Sequence, residues 1–157
     1  MLRISICAIG RAKASPAASL FADYQKRFDR TGRALSLGPL RLIELDDRKS
    51  TTRQAQAELL RKSISAGAFI VMLDERGTAH SSPAFAKTLA QWRDAGHTDI
   101  AFVIGGADGI DPEFRQEAGA LLSFGKMVWP HMLARVMLAE QLYRAASILA
   151  NLPYHRA

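Results

Sequence analysis

Short apolar runs alternate with amphipathic stretches along most of this chain. The runs are typical of β-strands and cover residues 2–9, 41–45, 68–73, 100–104 and 127–129. Between them, residues 17–30, 51–65 and 82–95 carry apolar side chains at helical spacing, and Asp111, Pro112 and Glu113 form a helix start. Parallel strands need crossover connections, which helices supply. The pattern therefore predicts an α/β fold with a mostly parallel sheet and helices on both faces.

The length of 157 residues predicts a single domain over residues 1–157. No apolar run approaches the roughly 20 residues that span a bilayer, so we expect no membrane association. Alternation and an early Gly10 make the N-terminus typical of a first strand rather than a signal peptide, which favours a cytoplasmic location. The lone Cys7 lies in that strand and is interpreted as a buried structural thiol.

Positive charge is concentrated in the first part of the chain. The net charge is +6, and residues 1–62 contain 13 Lys and Arg against 6 Asp and Glu. Lys26, Arg27 and Arg30 fall on the polar side of the first predicted helix. Such a surface suits a polyanion such as a nucleic acid, although solubility alone also explains it.

Three segments follow predicted strands, where open parallel sheets bind ligands. The first is LDERG at 73–77, which also reads as a charged turn. The second is IGGADG at 104–109, whose glycines allow close backbone approach to a ligand but match neither a dinucleotide nor a P-loop motif. The third joins the predicted strand at 127–129 to a last helix that begins after Pro130.

Other catalytic arrangements have little support. His80, His97, His131 and His155 lie far apart in the sequence, and we expect no metal site. On the last helix, His131 and Arg135 share a face, and Glu140 and Arg144 have the spacing of an intrahelical ion pair.

Four segments in order, LDERG, FVIGGADG, WPHMLARVMLAEQLYRA and the terminal PYHR, carry a resemblance that spans the whole chain. They closely resemble the RlmH family of ribosomal RNA large-subunit methyltransferases, the YbeA-like branch of the SPOUT class. The resemblance implies a C-terminal deep trefoil knot, a homodimer, and S-adenosyl-L-methionine as methyl donor, with S-adenosyl-L-homocysteine as product. It also implies methylation of N3 of a pseudouridine in a stem-loop of large-subunit (23S) ribosomal RNA, on assembled ribosomes and not on DNA.

The resemblance also assigns roles to individual residues. It places the donor at Leu73, Gly105, Gly106 and the loop formed by Phe124, Gly125, Lys126, Met127, Val128, Trp129 and Pro130. Gly125 and Val128 stand where family members often have Ser and Thr, so backbone amides must replace those hydroxyls.

Methyl transfer to N3 requires loss of the imide proton and stabilisation of the ring as an anion. Arg144 is the candidate for stabilising that anion and His155 the candidate proton acceptor. The predicted RNA-binding residues are Tyr154, His155, Arg156, Arg135, Lys26, Arg27 and Arg30. Two alternatives stay open: a non-catalytic ribosome-binding or assembly factor, and a SPOUT methyltransferase acting on another RNA uridine or on tRNA.

Overall fold

A computed structural model describes residues 1–156; Ala157, the last residue of the predicted domain, lies outside them. The strands are β1 (Leu2–Ile9), β2 (Leu37–Leu45), β3 (Phe69–Ala79), β4 (Asp99–Ile104) and β5 (Ala120–Ser123). The helices are α1 (Pro16–Gly32), α2 (Arg53–Ser63), α3 (Ser82–Asp94), α4 (Pro112–Arg115) and α5 (His131–Leu149), with a 3-10 turn at Arg33–Leu35. The strands form one sheet in the order β2-β1-β4-β3-β5, and all four neighbouring pairs are parallel.

Helices cover both faces of this sheet, which confirms the predicted architecture. Side chains of β1 alternate between two apolar clusters, with Ile4 and Ile6 on the face of α1, α3 and α5. Cys7 and Ile9 point to the opposite face, which packs against α2 and α4. Burial on both faces is typical of parallel strands. Cys7 is fully buried, and this burial raises the pKa of its thiol, as expected for a structural residue.

The last helix is apolar on most of its circumference because it packs against α1 and α3 as well as the sheet. Neither it nor any other helix within residues 1–156 has the length and apolarity needed to cross a bilayer. Its start after Pro130 agrees with the sequence prediction.

Two strand predictions were wrong. The fifth strand is Ala120–Ser123, whereas residues 127–129 form an exposed loop. The third strand does not end at Leu73 but continues to Ala79. Both errors concern the pairing of β3 with β5.

That pairing contains a bulge at residues 74–77. Leu73 and Thr78 are both opposite Leu122, so the four residues between them loop out of register. Where they return, a Cβ on Gly77 would lie 2.5 Å from the carbonyl carbon of Leu121. Only glycine permits this approach of two backbones.

Candidate active site

A cavity of about 760 Å³ opens beside the β3 bulge and the ends of β4 and β5. Its wall includes every predicted donor-binding residue except Lys126: Leu73, Gly105, Gly106, Phe124, Gly125, Met127, Val128, Trp129 and Pro130. Lys126 is exposed beside them. We call this cavity the donor pocket. Three segments that are distant in the sequence thus meet at the carboxyl edge of the sheet, as open parallel sheets require.

The β4–α4 loop is tightly folded around its glycines. A Cβ on Gly105 would lie 2.9 Å from the Ile110 side chain and 3.0 Å from Gly109. Gly109 has φ +82, a value that favours glycine. At the end of the loop, the Asp111 side chain accepts the Phe114 N–H at 3.0 Å and caps α4.

The β3 bulge is held against this loop by a carboxylate. The Asp74 side chain is 6% exposed and lies 3.2 Å from the Arg76 guanidinium and 3.5 Å from that of Arg115. It also accepts the Arg76 backbone N–H at 2.8 Å. Asp74 therefore connects the bulge to α4 across the pocket wall.

The β5–α5 loop, residues 124–130, forms the third wall. Ser123 Oγ accepts the Gly125 N–H at 3.0 Å, and Trp129 Nε1 donates to the Phe124 carbonyl at 3.3 Å. Gly125 has φ +102, a backbone conformation that glycine adopts without strain. Val128 is 91% exposed.

The C-terminal residues form a second cluster with α5. Arg144 donates from Nε to Glu140 Oε1 at 2.8 Å, and its guanidinium lies 4.8 Å from the centre of the Tyr154 ring. The Tyr154 hydroxyl donates to the same Glu140 oxygen at 3.0 Å and lies 3.4 Å from the Tyr24 hydroxyl. We call these residues, with His155, the tail cluster. Tyr154 and His155 thus pack against the helix that precedes them.

The charge states in the tail cluster follow from these contacts. The hydrogen bond to Glu140 raises the pKa of Arg144, so Arg144 stays cationic. Burial, chiefly, raises the pKa of Tyr154, so its phenol stays protonated and can donate. His155 Nδ1 lies 3.1 Å from Arg144 Nη1. Because arginine can only donate, Nδ1 is the acceptor and a neutral imidazole carries its proton on Nε2.

The donor pocket and the tail cluster of one chain are separate. Arg144, Tyr154 and His155 do not line the donor pocket. A second cavity, of about 530 Å³, is lined by Tyr24 and Glu140, which contact Tyr154 in the tail cluster. It shares three lining residues with the donor pocket: Leu122, Phe124 and Gly125. The β5–α5 loop therefore stands between the two groups.

Arg135 is not accessible for a contact with RNA. It is 2% exposed, and its guanidinium donates to the carbonyls of Ile9 and Gly10 and to the Glu44 carboxylate. Desolvation lowers its pKa. The prediction that Arg135 binds RNA is therefore wrong. Helical spacing placed Arg135 on the same face of α5 as His131, and the ends of β1 and β2 cover Arg135 on that face.

The other predicted RNA-binding residues are accessible. Lys26, Arg27, Arg30 and Arg156 are exposed. Arg27 is paired with Asp23 at 3.1 Å, which partly offsets its charge.

Sequence reasoning missed several residues of this edge. Arg53, in the first turn of α2, lines the donor pocket together with Asp74 and His131. Arg53 follows the end of β2, so the rule that ligands collect at this edge was the signal that could have found it. Among the described residues, no group of three or more His, Cys, Asp or Glu side chains is placed to hold a metal ion.

The protein has a parallel α/β sheet with a ligand pocket formed by three segments at its carboxyl edge. These features place it in the class of ligand-binding α/β proteins, to which many transferases belong. The family model described as "Predicted SPOUT methyltransferase" matches residues 2–155. The chain belongs to the SPOUT methyltransferase family, which confirms the resemblance read from the sequence.

Individual relatives are similar over the whole chain. Proteins named ribosomal RNA large subunit methyltransferase H from Dinoroseobacter shibae and Roseobacter denitrificans are 60% and 62% identical, each over 155 residues and 99% of both chains. The counterpart from Cereibacter sphaeroides is 55% identical over the same length. A solved structure titled as a probable methylase family protein from Haemophilus influenzae matches with a TM-score of 0.51 and 15% identity, covering 99% of this chain and 70% of that one. That match supports the fold.

Proposed function

We propose that this protein transfers a methyl group from S-adenosyl-L-methionine to N3 of a pseudouridine in a stem-loop of large-subunit (23S) ribosomal RNA on assembled ribosomes. The observation that carries the proposal is the convergence of the β3 bulge, the β4–α4 loop and the β5–α5 loop on one pocket. The relatives above, named for large-subunit ribosomal RNA methylation and 55–62% identical, support the substrate class.

The donor pocket fits S-adenosyl-L-methionine. Its volume of about 760 Å³ falls within the range of roughly 300–1,000 Å³ typical of small-molecule sites. Leu73, Ile104 and Trp129 supply apolar surface for an adenine ring, and the glycine loop supplies backbone groups for polar atoms. When bound, the donor supplies an activated methyl group, and S-adenosyl-L-homocysteine is the product.

The tail cluster supplies the groups that methylation of an imide nitrogen needs. Arg144, held cationic beside Glu140, stabilises the anionic form of the target ring. His155 takes the N3 proton on Nδ1, which becomes available once the incoming base draws Arg144 away from it. The Tyr154 ring, which lies 4.8 Å from the Arg144 guanidinium, is the aromatic group on which an unpaired base stacks.

A homodimer would bring these groups to the donor. Because the tail cluster lies outside the donor pocket of its own chain, we propose that the tail of one subunit completes the site of its partner. Exposed Met127, Val128 and Leu133 offer apolar surface around the β5–α5 loop for such an interface. The proposal includes the deep trefoil knot that the resemblance to the family implies.

A methyl-transfer assay tests the reaction. Purified protein and tritiated S-adenosyl-L-methionine are offered intact ribosomes, isolated large subunits or free ribosomal RNA, all from a strain lacking the endogenous activity. We expect label only on intact ribosomes, at N3 of a pseudouridine. Donor binding without label on any RNA would overturn the proposal and favour a ribosome-binding factor, and label on tRNA or another uridine would overturn its target.

A further inference from the structure

Two loops beside the donor pocket present cations to which the proposed reaction assigns no role. The β1–α1 loop contains Arg11 and Lys13, and the β2–α2 loop leads to Lys49 and Arg53. All four side chains belong to exposed residues. None takes part in the ion pairs found within residues 1–156. We call these four residues the edge cations.

Hydrogen bonds from the buried Arg135 side chain fix the backbone of the β1–α1 loop. Its Nη2 donates to the carbonyls of Ile9 at 2.8 Å and Gly10 at 2.6 Å, and its Nη1 donates to Glu44 at 2.8 Å. Glu44 in turn accepts the Ala12 N–H at 2.6 Å. The ion pair between buried Arg135 and partly exposed Glu44 therefore holds the backbone on both sides of Arg11. The Glu44 carboxylate is thereby paired with Arg135 and does not offset the charge of Arg11.

The β2–α2 loop is fixed in a similar way. Asp46 accepts hydrogen bonds from the backbone and side chain of Arg48, the shortest at 2.6 Å. These bonds are the main cause that lowers the pKa of Asp46 to about 2, and the charge of Arg11 makes a smaller contribution. The Gln56 side chain donates to the Ser50 carbonyl at 3.2 Å.

Both loops are connected to the donor pocket. A Cβ on Gly10 would lie 3.9 Å from His131 Nε2, and His131 lines the pocket, as does Arg53. On the other side, Gln56 Oε1 is buried without a hydrogen-bond partner among the described residues. It would lie 3.0 Å from a Cβ on Gly106. The two loops that carry the edge cations thus adjoin the pocket and form part of its rim.

Resting on the proposed function, we infer that the edge cations bind backbone phosphates of the RNA that carries the target nucleotide. Residues 10–15 and 46–53 contain five basic and two acidic side chains, and one of those acids is occupied by Arg48. A fixed, positive rim next to the methyl donor matches a phosphate chain, which binds mainly through charge and without base specificity. This surface is separate from Lys26, Arg27 and Arg30 on α1.

The test compares two double variants of the full-length protein. Arg11→Ala with Lys13→Ala removes two edge cations that do not line the pocket. Lys62→Ala with Lys87→Ala removes two exposed cations from the end of α2 and the middle of α3, and serves as the control. For each protein, the KM for ribosomes is measured from about 50 to 200 mM salt, and the affinity for S-adenosyl-L-methionine is measured by calorimetry.

We expect the edge variant to raise the KM for ribosomes by roughly tenfold or more at low salt and to reduce the slope of log affinity against log salt by about 2, one for each lost contact. The affinity of the edge variant for S-adenosyl-L-methionine should match that of wild type. The control variant should match wild type in donor affinity, in the KM for ribosomes and in salt dependence. An edge variant with wild-type KM and slope would overturn this inference and leave the proposed function intact. A wild-type protein that neither binds nor methylates ribosomes would overturn both.

Discussion

Arg135 is the single residue on which the packing at the carboxyl edge most depends. Its side chain is 3% exposed and paired with Glu44, and it donates to the carbonyls of Ile9 and Gly10. We expect Arg135→Leu to lower the free energy of unfolding by about 3 kcal/mol, because Glu44 would lose its cationic partner and both carbonyls would lose the guanidinium donor. Urea unfolding measures this, with the exposed Arg33→Leu as control. A decrease in the free energy of unfolding of less than about 1 kcal/mol would contradict this role of Arg135 in packing.

Tyr154 provides a second prediction for a single residue. Burial raises its pKa, so the folded pKa lies above the unfolded value of about 10. The contribution of the protonated phenol to stability is therefore complete below about pH 10 and is lost as the pH rises further. Phenolate absorbance of wild type and Tyr154→Phe, compared across an alkaline titration, should show that the missing phenol ionises late. A Tyr154 that titrates with exposed phenols would refute this packing.

Individual residues also show where sequence reasoning succeeds and fails. The donor-binding residues could be predicted because they follow strand ends in a parallel sheet, and the family motifs mark them. Arg135 could not be placed, since helical spacing tells which residues share a face but not what covers that face. The RNA-facing assignments of Tyr154, His155 and Arg156 remain predictions.

At the level of elements, the junction of β3 with β5 determines the shape of the donor pocket. Gly77→Ala would put a methyl group against the Leu121 backbone, which cannot move aside as a side chain would. We expect a loss of about 2 kcal/mol or more in unfolding free energy together with weaker donor binding.

Gly67→Ala is the matched control for this substitution. Gly67 has φ +79 and open space around it, so the change carries only backbone strain, about 1 kcal/mol. Its donor affinity should equal that of wild type. Equal effects of the two variants on donor affinity, measured by calorimetry, would show that the junction does not shape the pocket.

This junction is also where prediction of the elements failed. Residues 127–129 and 120–123 are both short and apolar, and periodicity cannot decide which one pairs with β3. The polar DERG segment looked like a turn after a strand because the strand bulges there and resumes at Thr78. The remaining strands and most helices were recognisable because each has a full apolar face.

For the whole molecule, the separation of donor pocket and tail cluster predicts complementation between subunits. Arg144→Ala lacks the anion-stabilising group, and Gly106→Val, whose side chain would press on Gln56, disturbs the donor loop. Once each variant is shown to be folded and inactive, mixing them should restore methylation, because a mixed dimer has one intact composite site. Restoration is measured as label on ribosomes. A mixture as inactive as its components would contradict a site shared between subunits.

The buried Arg135–Glu44 pair has a consequence for the energetics of association. Because it holds the Gly10 carbonyl and the Ala12 amide in the free protein, the conformational entropy of the β1–α1 loop is lost during folding. Little further conformational entropy of this loop is lost when RNA binds. Preorganisation of this kind leaves the favourable electrostatic free energy available for binding, so a buried ion pair that never touches the ligand contributes to how tightly the ligand is held.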